Sequence, residues 1–248
     1  MDEGLRMKAF ERGGYHVRLA ASEADILAAK ALRHRAFFGY SGIDEDAFDA
    51  ACEHVLINNS EGRLLGCFRI MPLPSGRALL QSYSAQFYDL GQLAGFEGKM
   101  LEMGRFCLEP EEAEPDVLRI AWAALTRFVD EQNIKMLFGC ASFSGVSGLR
   151  YQDSFALLRA RHLAPECWRP RQRARDVFDF GTAPHGEADL KRGIVQMPPL
   201  LRSYLAMGGW VSDHAVIDRE MGTMHVFMGL EVRAIPAARK RLLRALAA

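Results

Sequence analysis

The sequence predicts a mixed sheet covered by helices, in the α/β (α+β) class, and three observations lead there. Helical and strand-like apolar patterns alternate along the chain. Two apolar runs, His54–Asn58 and Arg63–Met71, are separated by Asn59-Ser60-Glu61-Gly62, whose Asn and Gly tolerate the positive φ of a tight turn. Ile134–Phe143 (IKMLFGCASF) is a continuous apolar run, as expected of a central strand buried on both faces. A chain of 248 residues, 49% hydrophobic and 25% charged, has ample material for such a core.

In chain order, a polar leader (1–14) precedes Tyr15–Ala20, which alternates like a short strand. Ser22 followed by Asp25 has the spacing of a helix-start capping pair, and the helix should run from Glu23 to about Phe38. Ile26, Leu27, Lys30, Ala31, Phe37 and Phe38 recur at helical spacing and predict its packed side, leaving Arg33 and Arg35 on the other. Gly39 and Asp44-Glu45-Asp46 form a loop, the hairpin follows, and Pro72–Gly98 is expected to be a mobile loop. Met100–Leu108 is a third strand in which Gly104 predicts a bulge or a close backbone approach. Beyond the acidic stretch Glu109–Glu114, Pro115-Asp116 opens a helix carrying Val117, Ile120, Ala121, Ala124, Leu125 and Phe128 at helical spacing. After the buried strand and a further helix, Arg169–Gly193 is expected to be a surface excursion. Pro198-Pro199 starts a short helix that Gly208-Gly209 ends, Thr223–Val232 is a strand, and Pro236–Ala247 a basic amphipathic helix. Residues 15–165 should form the core and 166–248 an extension that completes it.

Thirty-one Lys and Arg balance thirty-one Asp and Glu, so no global field draws the chain to nucleic acid or an anionic surface. Five cysteines stand without metal-ligand or redox spacing, so no metal site is expected. The N-terminus lacks the apolar core of a secretory signal, and no run approaches the roughly 18 apolar residues of a membrane span. The expected location is a reducing cytoplasm. Nucleotide-binding glycine loops and the nucleophile elbow of esterases are absent.

What remains is charge inside apolar strands, which costs several kcal/mol unless it is paired or used. Arg69 lies in one strand, and Glu102 and Arg105 in the next. Side chains alternate along a strand, so Glu102 and Arg105 would face opposite sides unless a bulge at Gly104 turned them together. These groups read equally as an ion-pair network that stiffens a sheet and as a site. The same two readings hold for Arg33 and Phe37 on the first helix and for Asp46, Asp49 and His54 beyond it.

As an ordered set, Arg33-x-x-x-Phe37, Asp46-x-x-Asp49, His54, Arg69 and Glu102-x-x-Arg105-Phe106 resemble the acyl-carrier-protein-dependent branch of the GNAT-like N-acyltransferases. Acyl-homoserine lactone synthases share much of the pattern; bacterial ornithine Nα-acyltransferases are the closer match. The likeness to the latter extends through Tyr83–Asp89, Ala141-Ser142-Phe143, His162-Leu163-Ala164-Pro165, Pro198–Leu205, Gly208, Gly209 and Asp218, about residues 15 to 235. It implies a mostly antiparallel central sheet splayed into a V-shaped cleft and flanked by helices. The implied reaction moves a 3-hydroxyacyl chain from acyl carrier protein to the α-amino group of L-ornithine, giving lyso-ornithine lipid. No separate cofactor is implied, because the carrier supplies the acyl-phosphopantetheine. Glu109–Glu114 stands where coenzyme-A-dependent relatives hold a pyrophosphate, and its charge would repel one.

Under this resemblance Glu102 is the expected proton acceptor, or else it orients the substrate. Arg69 or Arg105 receives the ornithine carboxylate, and Asp46 or Asp49 its side-chain ammonium. Backbone amides at the Gly104 bulge are the implied oxyanion donors. Phe106, Phe138 and Phe143 would line an acyl slot, with Arg33, Phe37, His54, Phe87 and Ser142 completing the binding residues. Arg150, Arg159, Arg161, Arg169, Arg171 and Arg173 form a basic stretch suited to docking an acidic carrier protein, or simply a solvated surface. The basic C-terminal helix could rest on an anionic bilayer, making the protein peripheral at the inner membrane, or could cap the fold. A different amine acceptor, as in the lactone synthases, and a non-catalytic sensor of carrier protein or lipid are the alternative functions.

Overall fold

The computed structural model describes residues 7–112, 115–182 and 188–248. The chain forms two compact units, one from Met1–Pro72, Leu101–Ile134 and Ala237–Ala248, the other from Leu73–Met100 and Lys135–Pro236. Among the leader, acidic-stretch and excursion expectations, residues 1–6, 113–114 and 183–187 lie outside the described residues.

In the first unit, β1 (Phe10–Arg12), β2 (Tyr15–Leu19), β3 (Glu53–Asn59) and β4 (Leu64–Leu73) pair antiparallel in that order. The strand β1 lies inside the expected polar leader. It turns into β2 through Gly13 and Gly14, at φ 59° and 83°, the pair of positive φ values that a two-residue hairpin turn requires. Past the short β5 (Tyr88–Asp89) of the second unit, β6 (Met100–Leu108) lies beside β4.

Helix α1 spans Glu23–Phe38, and the Ser22 side chain caps it by accepting from the Asp25 N–H. Its packed side differs from the expected one. Ala29, Leu32 and Arg33 are buried, whereas Leu27 is 55% exposed. The inward stripe is Ala29, Leu32 and Arg33 with the partly buried Ala36 and Phe37, and only the partners of Arg33, described below, let it face inward. Ala29 and Leu32 pack on Leu56, Cys67 and Cys107. The last two thiols share a hydrogen bond at 3.5 Å and form no disulfide. Helix α2 (Pro115–Gln132) covers the other face of the sheet: Gly66, which alternates with Cys67, would place a Cβ 3.2 Å from Val117 Cγ1.

In the second unit, β7 (Met136–Ser144) pairs with β12 (Thr223–Glu231) along the full length of both strands. Next come β11 (His214–Asp218) and β9 (Val177–Asp179), all antiparallel. The strand β10 (Trp210–Val211) joins the other end of β12, and β8 (Arg171–Gln172) pairs with β5. Helices α3 (Gln152–Arg161), α4 (Leu190–Gln196) and α5 (Pro199–Ala206) complete the unit.

Two expected loops are built structure. Residues 72–98 contain three 3-10 turns and bury Leu79, Leu90 and Leu93, so this stretch is core rather than a mobile loop. The 169–193 stretch supplies β8 and β9 and buries Phe180, stacked on Phe155 at 4.8 Å. Its apolar residues are too sparse for periodicity to reveal.

The final helix, α6 (Ala237–Ala247), caps the first unit. It packs along α2, Arg244 pairs with Asp130 at 2.8 Å, and Arg12 donates to the carbonyls of Ala245 and Leu246. No helix among the described residues is long and apolar enough to cross a membrane.

The α1 seam is the joint that positions the charged groups. Leu32→Ala should lower unfolding free energy by about 2–5 kcal/mol in denaturant titrations, whereas Leu27→Ala should change it by less than about 0.5 kcal/mol.

Candidate active site

Arg33 is 1% exposed, an isolated charge on the packed face of α1 that would be prohibitive without partners. The loop after α1 brings them. Gly39, at φ 79°, closes the helix in the left-handed conformation, and the chain doubles back so that the Asp44 N–H donates to the Lys30 carbonyl. This return sets Asp44, Asp46 and Asp49 against three arginines.

The six groups form a closed ring of alternating charge, entirely within the first unit. Arg33 Nε donates to Asp44 at 2.6 Å and its Nη1 to Asp49 at 2.6 Å. Arg69, from β4, donates to Asp49 at 2.8 Å and to both carboxylate oxygens of Asp46 at 2.6 and 2.8 Å. Arg105, from β6, donates to Asp46 at 2.9 Å, and its Nε lies 3.1 Å from Asp44, which closes the circuit. Lys30 stands outside it, 3.9 Å from Asp49 and 3.4 Å from Glu45.

Burial and pairing act in opposite directions on these carboxylates. Burial alone would raise the Asp49 pKa. Hydrogen bonds from Arg33 and the Asp46 N–H, with the charges of Arg33 and Arg69, overcome it and hold the group well below the usual carboxylate range. Asp46 is lowered in the same way, burial being opposed by Arg69 and Arg105. His54 sits opposite Arg69 in the β3–β4 register, with Nε2 3.1 Å from the Asp49 carbonyl. Burial, then the positive charges of Arg33 and Arg69, lower its pKa, so His54 is a neutral donor to that carbonyl.

Glu102 is 4% exposed on β6. Its charge is felt at Cys52, whose thiol is pushed up to about 12 by burial first, with Glu102, Asp46 and Asp49 adding to the shift and Arg69 opposing it. Glu102 stands two residues before Gly104, whose Cβ position would lie 3.8 Å from Arg69 Nε, so strand alternation turns Glu102 to the Arg69 side. The left-handed residue of this strand is Arg105, at φ 53°, and not Gly104, where the bulge was expected. Such a backbone costs about 1–3 kcal/mol in a non-glycine residue. One charge-assisted hydrogen bond to Asp46, at about 1.5–3 kcal/mol, together with the ion pair to Asp44, offsets it, which explains why the irregularity falls on the arginine. The Arg105 guanidinium also lies over the Phe37 ring at 5.9 Å, and Phe106 meets Phe68 at 5.9 Å.

The structure thus brings together Arg33, Phe37, Asp46, Asp49, His54, Arg69 and Arg105 in the first unit, with Glu102 and Phe106 on the same strand as Arg105. Phe87, Phe138, Ser142 and Phe143 belong to the second. There Phe138 and Phe143 are fully buried core residues, Ser142 is exposed opposite His225, and Phe87 meets the His225 ring edge-on at 4.9 Å. Of the basic stretch, Arg150, Arg159, Arg161, Arg171 and Arg173 are exposed, while Arg169 is half-buried and donates to the Ala164 carbonyl. In the acidic stretch Glu109 is buried and pairs with Arg35 at 2.7 Å. Sequence reasoning did not single out Asp44. The signal for it was indirect: a buried Arg33 needs more carboxylate than Asp46 and Asp49 supply once Arg69 and Arg105 are counted. No cluster of potential metal ligands occurs among the described residues.

Comparison with known proteins identifies the family. Residues 31–123, which carry the whole ring, match the acetyltransferase (GNAT) domain family. The mixed sheet with flanking helices and this match define a GNAT-type acyltransferase. The chain is 30% identical over 242 residues to the L-ornithine N(alpha)-acyltransferase of Brucella abortus, covering 90% of this chain and 86% of that one. It is also 30% identical over 238 residues to the protein of the same name from Rhodobacter capsulatus, covering 89% and 91%. An acyl-homoserine-lactone synthase of Agrobacterium fabrum is 27% identical over 114 residues, 45% of this chain and 53% of that one. The chain belongs to the L-ornithine N(alpha)-acyltransferase family.

Two outcomes follow for the ring. Asp49→Ala leaves Arg33 and Arg69 short of a buried partner and should lower unfolding free energy by about 3–5 kcal/mol. Because the folded-state pKa values of Asp46 and Asp49 are depressed, their stabilisation is fully present above the ordinary carboxylate pKa of about 4 and is lost as pH falls toward the folded values. Unfolding titrations from neutral to acid pH should show this loss in the wild type and a shallower one in Asp49→Asn.

Proposed function

We propose that this acyltransferase moves a 3-hydroxyacyl chain from acyl carrier protein to the α-amino group of L-ornithine, forming lyso-ornithine lipid. The observation that carries the reading is the near full-length likeness, 90% of this chain and 86% of the relative, to the Brucella protein of that name. The buried ring around Arg105 and the neighbouring carboxylate of Glu102 supply groups suited to the chemistry.

In the proposed reaction Glu102, directly or through a water, takes a proton from the ornithine α-ammonium. The freed amine attacks the thioester carbonyl, the C–N bond forms, the C–S bond breaks, and the carrier's phosphopantetheine leaves as a thiol after taking up a proton. Backbone N–H groups at the Gly104–Arg105 irregularity stabilise the oxyanion. Asp46 is the ring carboxylate most open to solvent, at 19% side-chain exposure, and is the member suited to meet the ornithine side-chain ammonium. Arg105, at 12%, is the arginine suited to meet the carboxylate. Arg33, Arg69, Asp44, Asp49 and His54 hold these two in position. Phe37, whose ring lies under the Arg105 guanidinium, offers apolar surface beside them, and Phe106 follows Arg105 on β6. Arg159, Arg161, Arg171 and Arg173 steer the acidic carrier protein, in keeping with a cytoplasmic reaction.

Purified protein given 3-hydroxyacyl carrier protein and ornithine should release free carrier thiol and yield a product of lyso-ornithine lipid mass. Glu102→Gln should lower turnover by about 10²–10⁴-fold with an unchanged melting temperature. Absence of thiol release with these substrates would sink the substrate assignment. Wild-type turnover in Glu102→Gln would sink the role of Glu102 while leaving the substrates standing.

A further inference from the structure

In the second unit, two separate segments hold up aliphatic side chains that the fold does not cover. Val146 and Leu149 come from the turn after β7, and Leu190, Ile194 and Val195 from α4. Val195 is 74% exposed and Leu149 62%. The segments are tied together. Gln196 Nε2 donates to the Arg150 carbonyl at 3.1 Å, Ser154 Oγ to the Gly193 carbonyl at 2.7 Å, and the Asp189 N–H to Asp153 at 3.1 Å. Gly193 seats α4 tightly, since a Cβ there would fall 2.8 Å from the Asp153 carbonyl oxygen. A rigid platform therefore presents both sets of side chains.

The charges among them are of one sign. Residues 145–150 and 190–196 contain Arg150, Lys191 and Arg192 and no acid. Arg192 is neutralised by an ion pair with Asp153. Asp189 is engaged in capping α4, accepting from the N–H groups of Lys191 and Arg192. Arg150 and Lys191 have no carboxylate partner among the described residues, and both are exposed.

We infer that this platform is an anionic-membrane-binding surface: the aliphatic side chains enter the headgroup–acyl boundary while Arg150 and Lys191 meet lipid phosphates. Protruding aliphatic groups interleaved with lysine and arginine are what an interfacial membrane segment presents. A bilayer accepts such groups without shape complementarity. Docking on an acidic protein would be led by charge, and here five aliphatic side chains accompany only two unpaired cations. The inference is independent of the substrate assignment, because binding is read with no substrate present.

The test is co-flotation of the full-length protein with phosphatidylcholine vesicles, with and without phosphatidylglycerol. Binding should require phosphatidylglycerol, weaken as salt is raised, and fall at least about tenfold in Leu149→Ser/Ile194→Ser/Val195→Ser, whose circular dichroism and melting should match the wild type. Leu27→Ser/Leu80→Ser, which removes equally exposed leucines elsewhere, should bind like the wild type. Failure to float with anionic vesicles overturns the inference. So does undiminished flotation of the triple variant, or a platform that binds acyl carrier protein and not vesicles.

Discussion

Six charges in a closed circuit organise the first unit. Each arginine touches two aspartates and each aspartate two arginines, so every charge of the circuit faces two of the opposite sign and the set is neutral. A single buried pair often fails to recover its desolvation. Closure changes the balance, because fixing one side chain serves two contacts, and the side-chain entropy lost per contact is smaller. The circuit also explains features that look anomalous alone: an arginine on the inner face of α1, three acids crowded after Gly39, and a left-handed arginine in the middle of a strand.

Its members come from α1, the loop that follows, the 3-10 turn at Asp49–Ala51, β4 and β6. Holding these together fixes the loop between α1 and β3, which has little apolar burial of its own. The same contacts place Arg105 and Asp46 at the more open side and keep Arg33 and Asp49 deep. Depth at one side and partial exposure at the other leave Asp46 and Arg105 as the members of the circuit nearest to solvent.

Much of this was legible in the sequence. The capping pair at Ser22 and Asp25, the Asn59–Gly62 turn, and the apolar runs gave α1, the β3–β4 hairpin, β6, α2 and β7 close to their observed limits, because each carries a local signal. The packed face of α1 was misread because hydrophobic spacing cannot anticipate an arginine whose partners lie eleven and sixteen residues downstream. The 72–98 stretch was misread for a related reason: its buried leucines are held by 3-10 turns, whose short spacing matches neither helix nor strand periodicity. At the site, the charged residues were visible as misplaced polarity in apolar strands, but their mutual wiring was not. That depends on a strand register and on one backbone angle at Arg105, neither of which composition encodes.

A circuit that already satisfies itself resists piecemeal change. Deleting any one member strands two neighbours of the opposite sign in a poorly hydrated place, so the six positions are coupled, and an exchange is tolerated only when a donor and its acceptor are replaced together.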